Sequence, residues 1–389
     1  MATLGRVQCD YYDAGVCRSC TLMGTAYAGQ LATKDARCRE ALASLAPELD
    51  WLDAHASAES GFRNKAKLVV GGSSTHPTLG ILDDRGRGVD LSNCGLYEPA
   101  LAAALPHLAA FVTDARLTPY DVPGRRGELK YLLVTVAPTG DLMLRVVLRT
   151  SDQLPQVRAA LHRLQAALPR LRVVTVNLHP EHKAVLEGDT EITLTEQTEL
   201  PMPVNDTVLR LGPRSFFQTN TAVAAGLYRQ AQAWISEAAP STVLDLYCGV
   251  GGFALHSTAP GRHVVGVEVS PDAIAAARRS AADQADQPGN HGTVDFAAGD
   301  ATAYALAHPA PDLVVVNPPR RGLDEALTRW LDGSSVRDVV YSSCNVTTLA
   351  RDLARMPRLL PHRARLFDMF PQTDHHEVLV WLRREAGAR

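Results

Sequence analysis

The sequence predicts an α/β protein in two parts: a carboxy-terminal doubly wound, mostly parallel sheet, preceded by an α+β domain with an amino-terminal cysteine cluster. Three observations carry this expectation. From Thr242 onward, apolar strand-like runs alternate with helical patterns, as parallel strands covered on both faces require. Upstream of about residue 206, strand-like runs mix with a few helices without that regular alternation. Cys9, Cys17 and Cys20 crowd into one short, turn-rich stretch.

The chain's 389 residues give room for two domains at about 100–200 residues each. Apolar residues make up 46% and charged ones 21%, which excludes disordered and fibrous classes. A net charge of -3 excludes a histone-like polycation, so any nucleic-acid contact must rest on local basic patches. The start lacks an apolar signal region, and the most apolar stretch, residues 100–112, is too short to span a bilayer and is broken by Pro106 and His107. The expected location is cytoplasmic, with no membrane partner and no evident protein partner. Seven thinly spread cysteines argue against a disulfide framework and point to ligands or nucleophiles.

In chain order, helices are expected over 33–45, 98–112 and 152–168, and strands over 67–70, 131–136, 142–148 and 172–177. The texture changes after Pro201-Met-Pro203, which sets the expected domains as 1–205 and 206–389. A helix over 222–237 then leads to strands at 242–247, 264–268, 294–297 and 312–316, with a further helix over 271–285. Later strands begin near Val339 and at Val378.

Asp245-Leu-Tyr247-Cys-Gly-Val-Gly-Gly-Phe253 lies where the first parallel strand meets a helix, and its glycines permit a tight turn and close ligand approach. Glu268 ends the next strand, where a carboxylate can accept from both ribose hydroxyls. A loose dinucleotide fingerprint also fits Gly249 to Ala254. Two features favour S-adenosylmethionine instead. Asp245 would repel a pyrophosphate yet suits the amino group of a methionine moiety, and Asn317-Pro-Pro-Arg320 stiffens a loop that aims Asn317 into the site.

Tyr341-Ser-Ser-Cys344-Asn345 follows another apolar strand, which puts Cys344 at the same sheet edge. Arg320 and Arg321 are expected to lower its thiol pKa. Asp374-His-His-Glu377 precedes the last strand; Glu377 is the better proton acceptor there, and His375 and His376 read as ordinary loop histidines. Cys9, Cys17 and Cys20 need a fourth ligand, for which Cys38 and Cys94 are candidates, and four thiolates suit zinc or a [4Fe-4S] cluster alike.

Together, Phe216-Phe-Gln218-Thr-Asn220, the Asp245 to Phe253 turn, Asn317-Pro-Pro-Arg320, Ser343-Cys-Asn345 and the final His-Glu resemble the RNA uracil-C5 methyltransferase family over nearly the whole chain. The amino-terminal cysteines, Phe62-Arg-Asn-Lys65-Ala-Lys67 and Asn93-Cys-Gly-Leu-Tyr97 are most similar to its branch that acts on uracil 747 of 23S ribosomal RNA.

The resemblance implies a Rossmann-like methyltransferase domain, with 23S rRNA as partner. It implies Cys344 as the nucleophile adding at uracil C6, Glu377 as the base, and Gln218, Tyr247, Glu268 and Asn317 as S-adenosylmethionine contacts, with Asp300 a further candidate. It also selects Cys94 as fourth ligand and an iron–sulfur cluster over zinc. A tRNA uridine is the alternative substrate within the family. An amino-group methyltransferase of the N-P-P type is the alternative outside it, opposed by Arg320 in place of a stacking aromatic residue and by the cysteine. Basic runs at Arg63/Lys65/Lys67, Arg125/Arg126/Lys130 and Arg351 to Arg365 are expected to meet phosphates. A uridine attacked at C6 must be unstacked, which favours a loop nucleotide.

Overall fold

The structure, a computed structural model, describes residues 7–183, 187–286 and 292–385. It forms two compact units: Val7–Cys20 with Glu59–Met202, and Thr21–Ala58 with the chain from Pro203 onward. Helix Tyr27–Ala43 therefore belongs with the carboxy-terminal sheet, although it lies far upstream in sequence.

That carboxy-terminal unit is built on an eight-stranded sheet. Five parallel strands run in the spatial order Asp338–Ser343, Leu313–Val316, Thr242–Leu246, His263–Glu268, Thr293–Ala298. Strand Glu377–Arg384 pairs antiparallel with Asp338–Ser343, Leu359–Phe367 pairs antiparallel with Glu377–Arg384, and Asp50–Trp51 adds a short parallel edge. Leu313 to Val316 are all buried, because helices cover both faces of these central strands. Several helices that follow strand ends start on side-chain caps. Ser270 accepts from the Ala273 amide at 3.3 Å, Asp324 from Leu327 at 2.8 Å and Asn345 from Thr347 at 3.1 Å. Each cap fixes where a loop at the carboxyl edge ends.

The other unit holds a seven-stranded sheet in the order Gly88–Asp90, Pro77–Leu82, Lys65–Gly72, Leu129–Val136, Leu142–Leu148, Leu171–Leu178, Thr190–Thr193. All pairs are antiparallel except Leu142–Leu148 with Leu171–Leu178, which helix Leu154–Ala167 connects as a crossover. Helix Pro99–Asp114 buries Leu101, Leu105, Leu108 and Val112 in the core of this unit; their spacing is the helical period.

Two expectations need correction. Residues 359–367, read as part of a basic run, form an inner strand of the first sheet; Arg363 pairs with Glu237 at 2.6 Å, and Arg365 donates to Gln230 and to the Asp53 carbonyl. Arg351 is likewise engaged, with Asp352. Among the other runs, Lys130 is buried and donates to the Glu181 carbonyl at 2.6 Å, and the Lys65 ammonium is pushed down to about 8 by burial. Lys67, Arg125 and Arg126 remain exposed. No helix among the described residues is long and apolar enough to cross a membrane.

Candidate active site

The glycine turn after Thr242–Leu246 is strained where a ligand would approach. Tyr247, Gly249 and Gly251 all have positive φ, at 65°, 54° and 87°. A Cβ on Gly249 would meet nothing within 4 Å, whereas one on Gly251 would come within 2.9 Å of the Phe296 ring. Gly249 thus leaves open space and Gly251 permits packing. The positive φ at Tyr247 was not legible in the sequence, since a tyrosine carries no propensity for it.

Asp245 is fully buried, and its Oδ2 accepts from the Ala254 amide at 2.8 Å. Its Oδ1 is a buried atom without a hydrogen-bond partner, and burial, with the charge of Glu268, pushes the carboxyl up to about 8. An orphaned acceptor beside an open glycine turn fits the cationic amino group of a methionine moiety. Glu268 Oε2 accepts from the Gly249 amide at 3.3 Å and Oε1 from Ser270 at 3.1 Å, which fixes the carboxylate at the strand end. Beside it Val269 is 72% exposed, an apolar side chain at the sheet edge that sequence reasoning missed. Its signal was available: a valine directly after a strand-ending acid. Asp300 caps helix Ala301–Ala307 through the Ala303 amide at 2.8 Å. Gln218 is buried two residues after Phe216, which is 73% exposed. Burial pushes the Tyr247 phenol up to about 12.

Cys344 and Glu377 face one another. The antiparallel register pairs Ser343 with Val378, so the residue after one strand lies opposite the first residue of the other. Ser342 Oγ donates to Glu377 Oε1 at 2.6 Å, and the carboxylate is close enough to raise the thiol pKa by its charge. Burial pushes Glu377 up to about 7, as a desolvated base requires. Cys344 stands directly before the Asn345 cap of helix Val346–Ala354, whose N-terminal dipole favours a thiolate.

The thiol does not have the lowered pKa expected from its arginines. Burial raises it, the Glu377 charge raises it further, and Arg320 opposes both through its charge and a side-chain hydrogen bond. Arg320 is itself fixed. Its carbonyl accepts from Asn345 Nδ2 at 3.4 Å and Thr348 Oγ1 at 3.2 Å, and its guanidinium meets His375 Nδ1 at 3.3 Å. Buried Asp352 ties down the same loop, accepting from the Leu323 amide at 2.7 Å and the Tyr341 hydroxyl at 2.8 Å. Asn317 opens that loop, its amide at 3.5 Å from the Leu246 carbonyl. Gln218, Tyr247, Glu268, Asn317, Cys344 and Glu377 all belong to one unit.

Cys9, Cys17, Cys20 and Cys94 all belong to the other. Burial, then the charges of Cys94, Cys17 and Cys9, push the Cys20 thiol up to about 11, and Cys94 is raised by burial and by Cys9 and Cys17. The Tyr11 hydroxyl accepts from the Asn93 amide at 3.1 Å, joining the two cysteine-bearing segments. No three His, Cys, Asp or Glu side chains among the described residues converge on a single metal-ion position. The four thiols share a neighbourhood without forming a one-ion site. Cys38, the other candidate for fourth ligand, lies in the carboxy-terminal unit against His376.

The strand order, the glycine turn and the acid at the next strand end define a Rossmann-like methyltransferase fold. Residues 152–385 match the family model described as tRNA (Uracil-5-)-methyltransferase, and the chain belongs to that family. It is 47% identical to the 23S rRNA (uracil(747)-C(5))-methyltransferase RlmC of Halothiobacillus neapolitanus, over 97% of this chain and 100% of that protein. It is 46% identical to the RlmC of Salmonella paratyphi B, again over 97% and 100%. Among solved structures it superposes on the Pyrococcus abyssi tRNA (uracil-54, C5)-methyltransferase in complex with S-adenosyl-L-homocysteine. That match has a TM-score of 0.78 at 23% identity and covers 93% of this chain and 85% of that one, a likeness of fold.

Proposed function

We propose that this protein transfers a methyl group from S-adenosylmethionine to C5 of a uridine in 23S ribosomal RNA, the counterpart of uracil 747 in the full-length relatives. The observation that carries the reading is the thiol of Cys344 opposite the buried carboxylate of Glu377, braced by Arg320. Uracil C5 is a weak nucleophile until a group adds at C6. Cys344 adds there as thiolate, which shifts an electron pair toward C5. S-adenosylmethionine, when bound, would supply the electrophilic methyl group that this electron pair takes up at C5, the sulfonium sulfur leaving as the thioether of S-adenosylhomocysteine. Glu377 then takes the C5 proton, and the electron pair left behind expels the Cys344 thiolate and restores the ring. Asp245 and Glu268 would hold the methionine amino group and the ribose, Val269 the adenine face, and Gln218, Tyr247 and Asn317 the remaining contacts.

We assign methyl transfer to 206–389 together with the helix-bearing stretch 21–58, and the cluster and RNA contacts to the rest of 1–205, with Lys67, Arg125 and Arg126 the exposed cations for phosphate. Cys9, Cys17, Cys20 and Cys94 would hold a [4Fe-4S] cluster. Four thiols gathered in one unit suit such a cluster or a zinc ion alike, and the resemblance to the family selects the cluster. Anaerobically purified protein should show iron–sulfur absorption; a colourless sample with stoichiometric zinc overturns the cluster. Such an enzyme works in the cytoplasm, where ribosomal RNA is made.

The deciding experiment uses 5-fluorouridine-substituted 23S rRNA with S-adenosylmethionine. Fluorine cannot leave as a proton, so a stable protein–RNA adduct should form with the natural chain and be absent with Cys344→Ala. Methylation of ordinary rRNA without any adduct from fluorinated rRNA would exclude addition at C6.

A further inference from the structure

Helix Tyr27–Ala43 buries one stripe: Gln30, Lys34, Cys38 and Leu42, each four residues after the last. Three of the four are polar or titratable, which is unusual for a helix face turned to a core. All three make side-chain contacts with one segment, residues 368–376, that leads into Glu377; Gln30 also donates to the Thr25 and Leu22 carbonyls just before the helix, at 2.8 and 3.3 Å.

Gln30 meets its turn. Its Nε2 donates to Gln372 Oε1 at 2.9 Å, and its Oε1 accepts from the Gln372 amide at 3.0 Å. Gln372 has a positive φ of 67°, a strained backbone that a side-chain clamp can hold. The Leu22 amide, just before the helix, donates to the Gln372 carbonyl at 3.0 Å. Lys34 is 1% exposed, and its ammonium reaches Asp368 Oδ1 at 2.6 Å, the Phe370 carbonyl at 3.2 Å and the His375 carbonyl at 3.3 Å. Three donors on one nitrogen thus tie together both ends of the segment. Cys38 Sγ lies 3.2 Å from His376 Nε2, while His376 Nδ1 lies 3.0 Å from the Asp374 carbonyl. A carbonyl only accepts, so Nδ1 carries the hydrogen and Nε2 accepts from the thiol. His376 is therefore no ordinary loop histidine.

The segment leads straight into one reacting group and reaches the other only through Arg320. His376 is bonded directly to Glu377 in the chain, and His375 meets the Arg320 guanidinium that opposes the rise in the Cys344 pKa.

From this juxtaposition we infer that Gln30, Lys34 and Cys38 are positioning residues for the methyltransferase reaction, holding segment 368–376 so that Glu377 is aligned to remove the C5 proton. The inference rests on the proposed thiol-adduct chemistry and extends it to a helix more than 300 positions upstream of the base.

The chemistry separates positioning from mere stability. Adduct formation on 5-fluorouridine rRNA needs Cys344 and the methyl donor but no proton removal. Turnover on natural rRNA needs Glu377 as well. Two variants are tested in the full chain: Gln30→Leu, and Lys34→Met combined with Asp368→Asn so that no buried charge is left alone. Each should form the fluorinated adduct within about twofold of the natural rate, turn over natural rRNA at least about tenfold more slowly, and accumulate a covalent adduct on natural uridine. Equal loss in both assays, or no loss in either, overturns the inference. If the unsubstituted protein forms no fluorinated adduct, the reading of the reaction fails first, which is a different result. Should the double variant fold poorly, Gln30→Leu carries the test, since it leaves the ion pair intact.

Discussion

The charge of Glu377 acts on the Cys344 thiol, while burial sets that of Glu377 itself. Glu377 raises the thiol and Arg320 lowers it, so Glu377→Gln should move the pH profile of Cys344 alkylation downward and Arg320→Met should move it upward. Iodoacetamide rates measured against a Cys344→Ala background read both. Glu377→Gln should also cut turnover by about 10²–10⁴ and leave the adduct on natural uridine unresolved. Rapid turnover by that variant removes Glu377 from the role of base. Resolution of the adduct in the natural chain should quicken as pH rises through about 7, where Glu377 loses its proton. That the two residues lie opposite one another was legible in the sequence, because both flank apolar runs at strand ends. The sign of the thiol shift was not legible, because burial depends on what packs over the strand end and a motif records only the neighbouring charges.

Among elements, the glycine turn and the late strands differ in how plainly they are written. Glycines at 249 and 251 announce a turn wherever they follow an apolar strand, and the structure gives each a separate reason: space at one, a ring at the other. Gly251→Ala should destabilise the fold by about 1–3 kcal/mol, from the positive φ and the Phe296 contact, with Tm as the readout. Strand Leu359–Phe367 was hidden. Its arginines and its proline and histidine break the apolar alternation, and they are accommodated because Arg363 and Arg365 find partners around the strand. Strands Pro77–Leu82 and Gly88–Asp90 were equally obscure, being short, glycine-bearing and at or near the sheet edge. Helix Tyr27–Ala43 was expected from residue 33, since its first turn lacks a side-chain cap to mark the start.

At the scale of the whole molecule, two buried acids of the site make stability depend on pH in one direction. Asp245 rises from 3.8 to about 8 and Glu377 from 4.5 to about 7. Each folded-state value lies above its unfolded one, so the stability both supply is complete below about pH 4 and is lost as pH rises toward 7 and 8. Asp245→Asn should therefore raise the ligand-free Tm relative to the natural chain at pH 8 and by less toward pH 4, while weakening S-adenosylmethionine binding; a difference that does not change with pH would remove Asp245 from this account. Binding of rRNA should weaken with salt, and Lys67→Ala, Arg125→Ala or Arg126→Ala should each reduce the salt slope by about one. The sequence changes texture near residue 206, and the chain from Pro203 onward lies in one compact unit. The membership of residues 21–58 in that unit was not legible, because the polar stripe that binds this helix to residues 368–376 looks in sequence like an ordinary solvated face.

That discontinuous membership restricts how such genes can be recombined. A crossover at the visible change of texture would join the catalytic half of one relative to the upstream half of another, and with it a foreign helix facing Gln372, Asp368 and His376. Exchange of recognition modules between lineages is then tolerated only where residues 30, 34 and 38 travel with their distant acceptors, or happen to match them already.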